Sequence, residues 1–84
     1  MNYLLELTLC DQPGVLVRVA QIFARRGCNI QSLTVNPQAG SRWSTMHIAA
    51  QDVRRIDQVV AQLRKLVDIQ RVTVQNSREG ENIT

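Results

Sequence analysis

The stretch Asp11-Gln12-Pro13-Gly14-Val15-Leu16 separates a strand-like segment from a helix-like one. Pro13 suits the first position of a helix, where its missing N–H group costs nothing, and Asp11 or Gln12 can accept hydrogen bonds from the first free amides. Gly14 has no Cβ, so a ligand or another backbone can approach closely. A helix start offers partial positive charge and unpaired donors to a carboxylate or phosphate. Taken alone, however, the turn is more simply explained as an ordinary capped helix start.

Hydrophobic periodicity on both sides of this turn predicts the first three elements. Residues 3–10 alternate between apolar and polar side chains, which indicates a half-buried strand. Residues 14–26 carry apolar side chains at helical spacing, and Gly27 stands where a helix commonly ends in a left-handed residue. Residues 29–36 then form a second predicted strand.

The second half of the chain repeats the strand–helix–strand pattern. Residues 36–40 have the composition of a hairpin turn, and residues 43–50 alternate as a third strand. An apolar stripe predicts a second helix over about 53–66, and a last strand covers 69–74. The chain from Asn76 onward is polar, and we expect it to be frayed.

The predicted order βαββαβ belongs to the α+β class. Because each helix has a single apolar stripe, both should lie on one face of a four-stranded antiparallel sheet, with the spatial order 4-1-3-2 that right-handed crossovers impose. This is the ferredoxin-like plait, and we expect it to occupy residues 1–76, with a polar tail over 77–84.

The predicted sheet leaves strands 2 and 4 as edges with unpaired backbone groups. Strand 2 has no Lys or Pro that would block pairing until Pro37, so it can pair with a copy of itself. A side-by-side homodimer would bring Asn29 of one chain near the Gly14 turn of the other. It would also compensate for the small core of an 84-residue domain.

Composition excludes several classes of function. The net charge is only +3 and the ten basic residues are scattered, so we expect no binding to nucleic acid. Two cysteines, Cys10 and Cys28, form no CxxC motif and, with the single His47, make no credible metal site. No apolar run approaches the ~18–20 residues of a membrane span, and no signal peptide is visible, so we expect a cytoplasmic protein.

The plait serves many unrelated functions, and the sequence disfavours most of them. The aromatic motif of RNA-binding plaits is absent, as is the first-loop CxxC of metal chaperones. No convincing pair of nucleophile and base, or of acid and base, can be assembled for catalysis. A small-molecule sensor is therefore favoured.

An amino acid matches the chemistry of the two turns. Its carboxylate can bind the amides around Gly14 and Val15, and its ammonium can bind Asp11 or the amide oxygen of Asn29. Three apolar residues can form a pocket for its side chain: Leu16, Ile30 and Leu33. Asn29 alone would more simply be a turn residue after the preceding glycine.

Four segments also resemble a known family. The 11–16 turn resembles the N-x-P-G-V-L ligand loop of ACT domains, the amino-acid-sensing plait. Residues 23–35, FARRGCNIQSLTV, are similar to the F-x-R-R-G-x-N-I-x-S-L-x-V run of acetolactate synthase small subunits. Residues 44–48, STMHI, and 62–69, QLRKLVDI, resemble that family's S-x-M-x-I strand and Q-L-x-K-L-V-D-V helix exit. Together the matches extend from about residue 4 to 74.

The resemblance implies a regulatory subunit of acetolactate (acetohydroxyacid) synthase in branched-chain amino acid biosynthesis. Such subunits do no chemistry themselves, form homodimers, activate the catalytic large subunit, and bind valine or a related amino acid at the dimer interface. The expected cofactors, thiamine diphosphate, Mg²⁺ and FAD, belong to the catalytic subunit. Carried over by position, the ligand-binding residues are Asp11, Gln12, Pro13, Gly14, Val15 and Leu16, with Asn29 and Ile30 contributing across the interface.

Two departures from the family leave alternatives open. The family's loop usually begins with Asn, and the extra charge of Asp11 can weaken or retune ligand binding. Many members also continue into another domain, whereas this chain ends at Thr84, so it resembles the short single-domain members or is part of a longer chain. Two other functions stay open: a free-standing ACT sensor for another enzyme, and a structural activator with an empty site. For the surface that meets the catalytic subunit, the outward sheet face with Thr45 and His47 is one candidate.

Overall fold

The computed structural model describes residues 1–10 and 12–76, so Asp11 and the predicted tail, 77–84, lie outside the described residues. The element order confirms the predicted βαββαβ pattern. The bounds are β1 Tyr3–Cys10, α1 Val15–Arg25, β2 Asn29–Pro37, β3 Trp43–Gln51, α2 Ile56–Arg64 and β4 Ile69–Asn76.

The four strands form one antiparallel sheet in the order β2-β3-β1-β4, which confirms the predicted order read from the other edge. Leu7 in the middle of β1 lies opposite Met46 of β3 on one side and Val72 of β4 on the other. This row of buried residues marks the centre of the sheet, and β2 and β4 are its edges.

The core lies between the sheet and the two helices. Alternate residues of β1 and β3 face it, and Phe23 of α1 is completely buried in it. On the opposite face, Glu6 and His47 are exposed, as the alternation predicts. The core consists of Leu5, Leu7, Leu9, Val15, Val19, Ile22, Phe23, Met46, Ile48, Ala50, Val53, Val59, Leu63 and Val72.

The second helix is shorter than its apolar stripe predicts, beginning at Ile56 rather than near 53 and ending at Arg64 rather than 66. Asp52 has a positive φ of 60°, which interrupts any regular helix there. Val53 is buried, but its N–H donates to the backbone oxygen of Met1 at 2.9 Å. The apolar pattern therefore predicted the burial of Val53 correctly. The prediction that the helix begins near residue 53 is wrong, because residues 52–55 form a connecting segment.

Three strand ends also differ from the predictions. β2 continues one residue further, to Pro37, which pairs with Ser44, so the hairpin turn lies after residue 37 rather than over 36–40. β3 continues one residue further, to Gln51, which pairs with Asn29. β4 extends to Asn76, which pairs with Tyr3. Among the described residues, no helix is long and apolar enough to cross a membrane.

Candidate functional site

The β1–α1 connection is a β-turn closed by a hydrogen bond from the N–H of Val15 to the oxygen of Gln12, at 3.1 Å. Gly14 has φ 91° and ψ −17°, which fits the third position of a type II turn, where glycine is favoured after proline. Gly14 is also the N-cap of α1, and its oxygen accepts from the N–H of Arg18 at 3.0 Å. The prediction that Pro13 is the first helical residue is therefore wrong. The helix begins at Val15, and Pro13 is the second residue of the β-turn that precedes it.

The capping prediction changes for the same reason. Asp11 lies outside the described residues, and Gln12 caps through its backbone oxygen while its side-chain nitrogen donates to Cys10 Sγ at 3.3 Å. The N–H of Val15 is engaged in the turn, and its side chain is in the core. The first helical bond is made by the N–H of Arg18, and within residues 1–10 and 12–76 no acceptor is found for the amides of Leu16 and Val17. The roles of residues 12–16 in ligand binding stay predictions.

Asp68, in the α2–β4 connection, contacts the residues on both sides of this turn, Cys10 and Arg18. Its backbone oxygen accepts from the N–H of Cys10 at 2.8 Å, which fixes the end of β1. Its carboxylate accepts from Arg18 Nη1, with an Nη1–Oδ2 distance of 3.1 Å. The Asp68 side chain is only 18% exposed, against 51% for Arg18. The start of α1 is thus tied to a segment fifty residues later.

Arg18 also lies over the turn itself. A Cβ built on Gly14 would be 3.7 Å from Arg18 Nη2. Neither Arg18 nor Asp68 was predicted from the sequence as a site residue. Arg18 lies four residues after Gly14, which places the two on one face of the helix start, and this spacing was a usable signal. No comparable signal pointed to Asp68.

The other predicted half of the site begins where α1 ends. Gly27 has a left-handed φ of 70°, which confirms the prediction. The N–H of Cys28 donates to the oxygen of Phe23, and that of Gly27 to the oxygen of Ala24, each at 3.0 Å. This is the Schellman pattern of a helix C-terminus. Burial raises the pKa of the Cys28 thiol, and the charge of Arg26 opposes that effect.

Asn29 opens β2 opposite Gln51, and its Nδ2 donates to Gln51 Oε1 at 3.3 Å. This bond engages the nitrogen end of the amide and leaves the oxygen end for a donor from outside. Ile30 is half-buried against the core, and the register shifts just after it, so Gln31 forms a bulge in the edge strand.

Within one chain the two halves are far apart. Cys10, at the end of β1, lies opposite Trp43, whereas Asn29 lies opposite Gln51. Trp43 and Gln51 are the two ends of β3, so the halves are at opposite ends of the sheet, about 27 Å apart at the usual rise per residue. A single chain therefore does not bring Gly14 and Asn29 together.

The outward face of the sheet forms a separate concavity of about 500 Å³. Glu6 and His47 lie at its floor, with 3.9 Å between Oε1 and Nε2, and both side chains are more than half exposed. Thr45, the other residue predicted to mark this face, is half-buried. The concavity is on the side of the sheet away from the helices and does not include the β1–α1 turn.

Comparison with known proteins identifies the family. The family described as "AHAS small subunit-like ACT domain" matches residues 5–71. The chain belongs to this family. It is 35% identical to the small subunit of acetolactate synthase isozyme 1 of Escherichia coli K12 over 71 residues, covering 84% of this chain and 74% of that protein.

Longer relatives match over part of their length. The acetolactate synthase small subunit of Haemophilus influenzae is 39% identical over 84 residues, which cover 99% of this chain and 50% of that protein. The crystal structure of the Thermotoga maritima small subunit superposes with a TM-score of 0.75 at 35% identity, covering 88% and 47% of the two chains. This chain thus spans about half the length of such relatives.

The fold extends to more distant ACT domains. The ACT domain of a GTP pyrophosphokinase from Chlorobium tepidum has a TM-score of 0.70 at only 14% identity, covering 89% of this chain and 97% of that one. This similarity concerns the fold alone. Together with the matches above, it confirms the ferredoxin-like ACT architecture predicted from the element order.

Proposed function

We propose that this chain is a regulatory subunit of acetolactate synthase that acts in the cytoplasm as a homodimer. It binds valine or a related branched-chain amino acid and activates a catalytic large subunit, which carries thiamine diphosphate, Mg²⁺ and FAD. Membership of the small-subunit family supports the partner. The observation that supports the dimer site is the separation of Gly14 and Asn29 within one chain.

An antiparallel pair of β2 edges would remove this separation. In such a pair the start of each strand lies at the end of its partner, so Asn29 of one chain moves toward the β1–α1 turn of the other. Among the described residues, β2 is bonded on one side only, to β3, and its other side offers a row of backbone donors and acceptors. Two symmetric sites would result, each made from both chains.

The groups gathered at such a site match an α-amino acid. The amides at the start of α1 bind the carboxylate, and the Asn29 oxygen accepts from the ammonium. Leu16 is 45% exposed on its own chain, and Ile30 and Leu33 are half-buried at the edge strand, so a branched side chain can be covered by all three. Whether Asp11 also binds the ammonium stays a prediction.

Regulation then follows from where the ligand lies. A molecule held between two chains stabilises one arrangement of the dimer over another, and the catalytic subunit responds to that arrangement. Effectors of this kind typically contribute about 1–3 kcal/mol of coupling. The outward sheet face, which is independent of the ligand site, stays our candidate for the contact with the catalytic subunit.

The first experiment is calorimetric titration of the purified protein with valine, with leucine and isoleucine as comparators. We expect saturable binding that disappears in both Gly14→Asp and Asn29→Ala. An equimolar, refolded mixture of the two variants should recover binding, because a mixed dimer contains one site with both wild-type halves. Loss that is not rescued by mixing would contradict a site shared between chains.

A second experiment tests the partner. The protein should co-purify with an acetolactate synthase large subunit and raise its activity, while Asn29→Ala should still activate but no longer respond to valine. Activation without any valine binding by a folded dimer would leave a structural activator and would contradict sensing.

A further inference from the structure

We propose that Arg18, oriented by Asp68, binds the carboxylate of the amino-acid ligand at the β1–α1 turn. The inference rests on the proposed function and assigns a specificity-determining residue to that site. It comes from three contacts that meet at one place: the Arg18–Asp68 ion pair, the approach of Arg18 to Gly14, and the bond from Cys10 to Asp68.

Within the part of the chain that the structure describes, the guanidinium of Arg18 has one side-chain partner, the carboxylate of Asp68. Its Nη1 is engaged with Asp68 Oδ2 at 3.1 Å, while Nη2 lies over the position that a side chain on Gly14 would occupy, at 3.7 Å. A guanidinium carries five N–H donors in a planar fork that fits a carboxylate in a bidentate manner. Gly14 has no Cβ, and apart from its two chain neighbours no other heavy atom of the described residues lies within 4 Å of the Cβ position beside Nη2, so a ligand oxygen can approach the guanidinium from there.

The ion pair with Asp68 restricts the guanidinium of Arg18 to this position. Asp68 is mostly buried, and its own backbone oxygen is bonded to the last residue of β1, so the carboxylate has a fixed position relative to the turn. Arg18 is half exposed and would otherwise sample many rotamers. Asp68 is therefore a positioning residue, and Arg18 is the group that meets the ligand.

Charge balance gives a reason for an arginine at this place. The sequence has an acidic residue, Asp11, in the turn, and a ligand carboxylate would add a second negative charge. The helix start supplies only about half a unit of positive charge. Arg18 supplies a full charge that is partly shared with Asp68, which makes the site selective for a ligand with an ionised carboxylate.

The test compares valine with valinamide, which keeps the ammonium and the side chain and lacks the charged carboxylate. We expect wild-type protein to bind valine at least 10-fold more tightly than valinamide by calorimetry. Arg18→Met should weaken valine binding at least 10-fold and leave valinamide within twofold of wild type. Asp68→Asn should give a smaller loss, again for valine alone, and Arg18→Lys should restore part of the affinity.

Arg25→Met is the matched control, since it removes an exposed arginine from the other end of the same helix, and it should leave both affinities within twofold. Equal weakening of valine and valinamide by Arg18→Met would reduce Arg18 to a structural contact and overturn the proposal. Unchanged valine binding would overturn it as well while leaving the sensor intact. Failure of the folded wild-type protein to bind any branched-chain amino acid would overturn the sensing function and this inference together.

Discussion

Each end of α1 has a glycine with positive φ, but the two glycines are surrounded by different contacts. At the C-terminal end, Gly27 is fixed by hydrogen bonds to residues within four positions of it. At the N-terminal end, Gly14 lies in a turn whose surroundings include Arg18 and, through it, Asp68. A Cβ on Gly27 would meet nothing within 4 Å in the described part of the chain, whereas one on Gly14 would meet Arg18. Gly27 ends the helix through local bonds, whereas the conformation of Gly14 belongs to a turn that long-range contacts surround.

The largest effect should come from Gly14→Asp. A carboxylate in the turn faces the ligand carboxylate, and like charges in contact cost several kcal/mol, so valine affinity should fall by a factor of about 100. Calorimetry measures the loss. Gly40→Asp is the matched control, because Gly40 has a similar φ of 72° and open space around it within the described residues. An equal loss in both variants would mean that backbone strain, and not the site, explains the effect.

Gly27→Ala should lower the free energy of unfolding by about 1–2 kcal/mol, the cost of a left-handed residue that has a Cβ. Chemical denaturation measures it. Gly27→Asn should lose clearly less, because asparagine tolerates this conformation better than alanine does. If alanine and asparagine are equally costly, the local account of this helix end fails.

Asp68→Asn should have a smaller effect on stability, about 1 kcal/mol, because it breaks a long-range ion pair that is partly shielded from water. Asp57→Asn is its counterpart, since it breaks the Arg55–Asp57 pair, which is local and exposed, and it should lower the denaturation midpoint clearly less than Asp68→Asn does. A larger loss of unfolding free energy in Asp57→Asn than in Asp68→Asn would contradict the expectation that the long-range ion pair stabilises the fold more than the local one.

The smallest effect concerns pH. A hydrogen bond from Arg55 lowers the pKa of the Asp57 carboxyl, so this pair stabilises the start of α2 above the ordinary pKa range of aspartate. The stabilisation is lost as the pH falls through the lowered value. Titration followed by NMR should give a midpoint for Asp57 below that of a free aspartate, and Arg55→Met should move it upward. A midpoint unmoved by Arg55→Met would show that the pair does not form in solution.

The ends of α1 also show what could be predicted from the sequence. Gly27 after an apolar helical stripe predicted a left-handed cap, and the structure confirms it, because that geometry needs only neighbouring residues. Pro13 followed by Gly14 was compatible with both a helix start and a type II turn. Proline is favoured both at the first helical position and at the second position of a type II turn. Which of the two Pro13 occupies depended on the direction in which β1 ends relative to α1.

The apolar residue Val53 illustrates a second limit. Its spacing continued the stripe of α2, but its N–H is bonded to Met1, which is distant in the chain. Periodicity reports which side chains are buried, and burial alone does not distinguish a helical turn from a connecting segment that packs against the core.

The sequence by itself determined the element order, the antiparallel sheet and the two turns at which a ligand was expected, because alternation, helical spacing and glycine position act over short distances. Tertiary structure alone decided that Gly14 and Asn29 lie at opposite ends of the sheet within one chain, and that Asp68 pairs with Arg18 beside Gly14. Those relations depend on strand register and on contacts between residues fifty positions apart. No local preference encodes them.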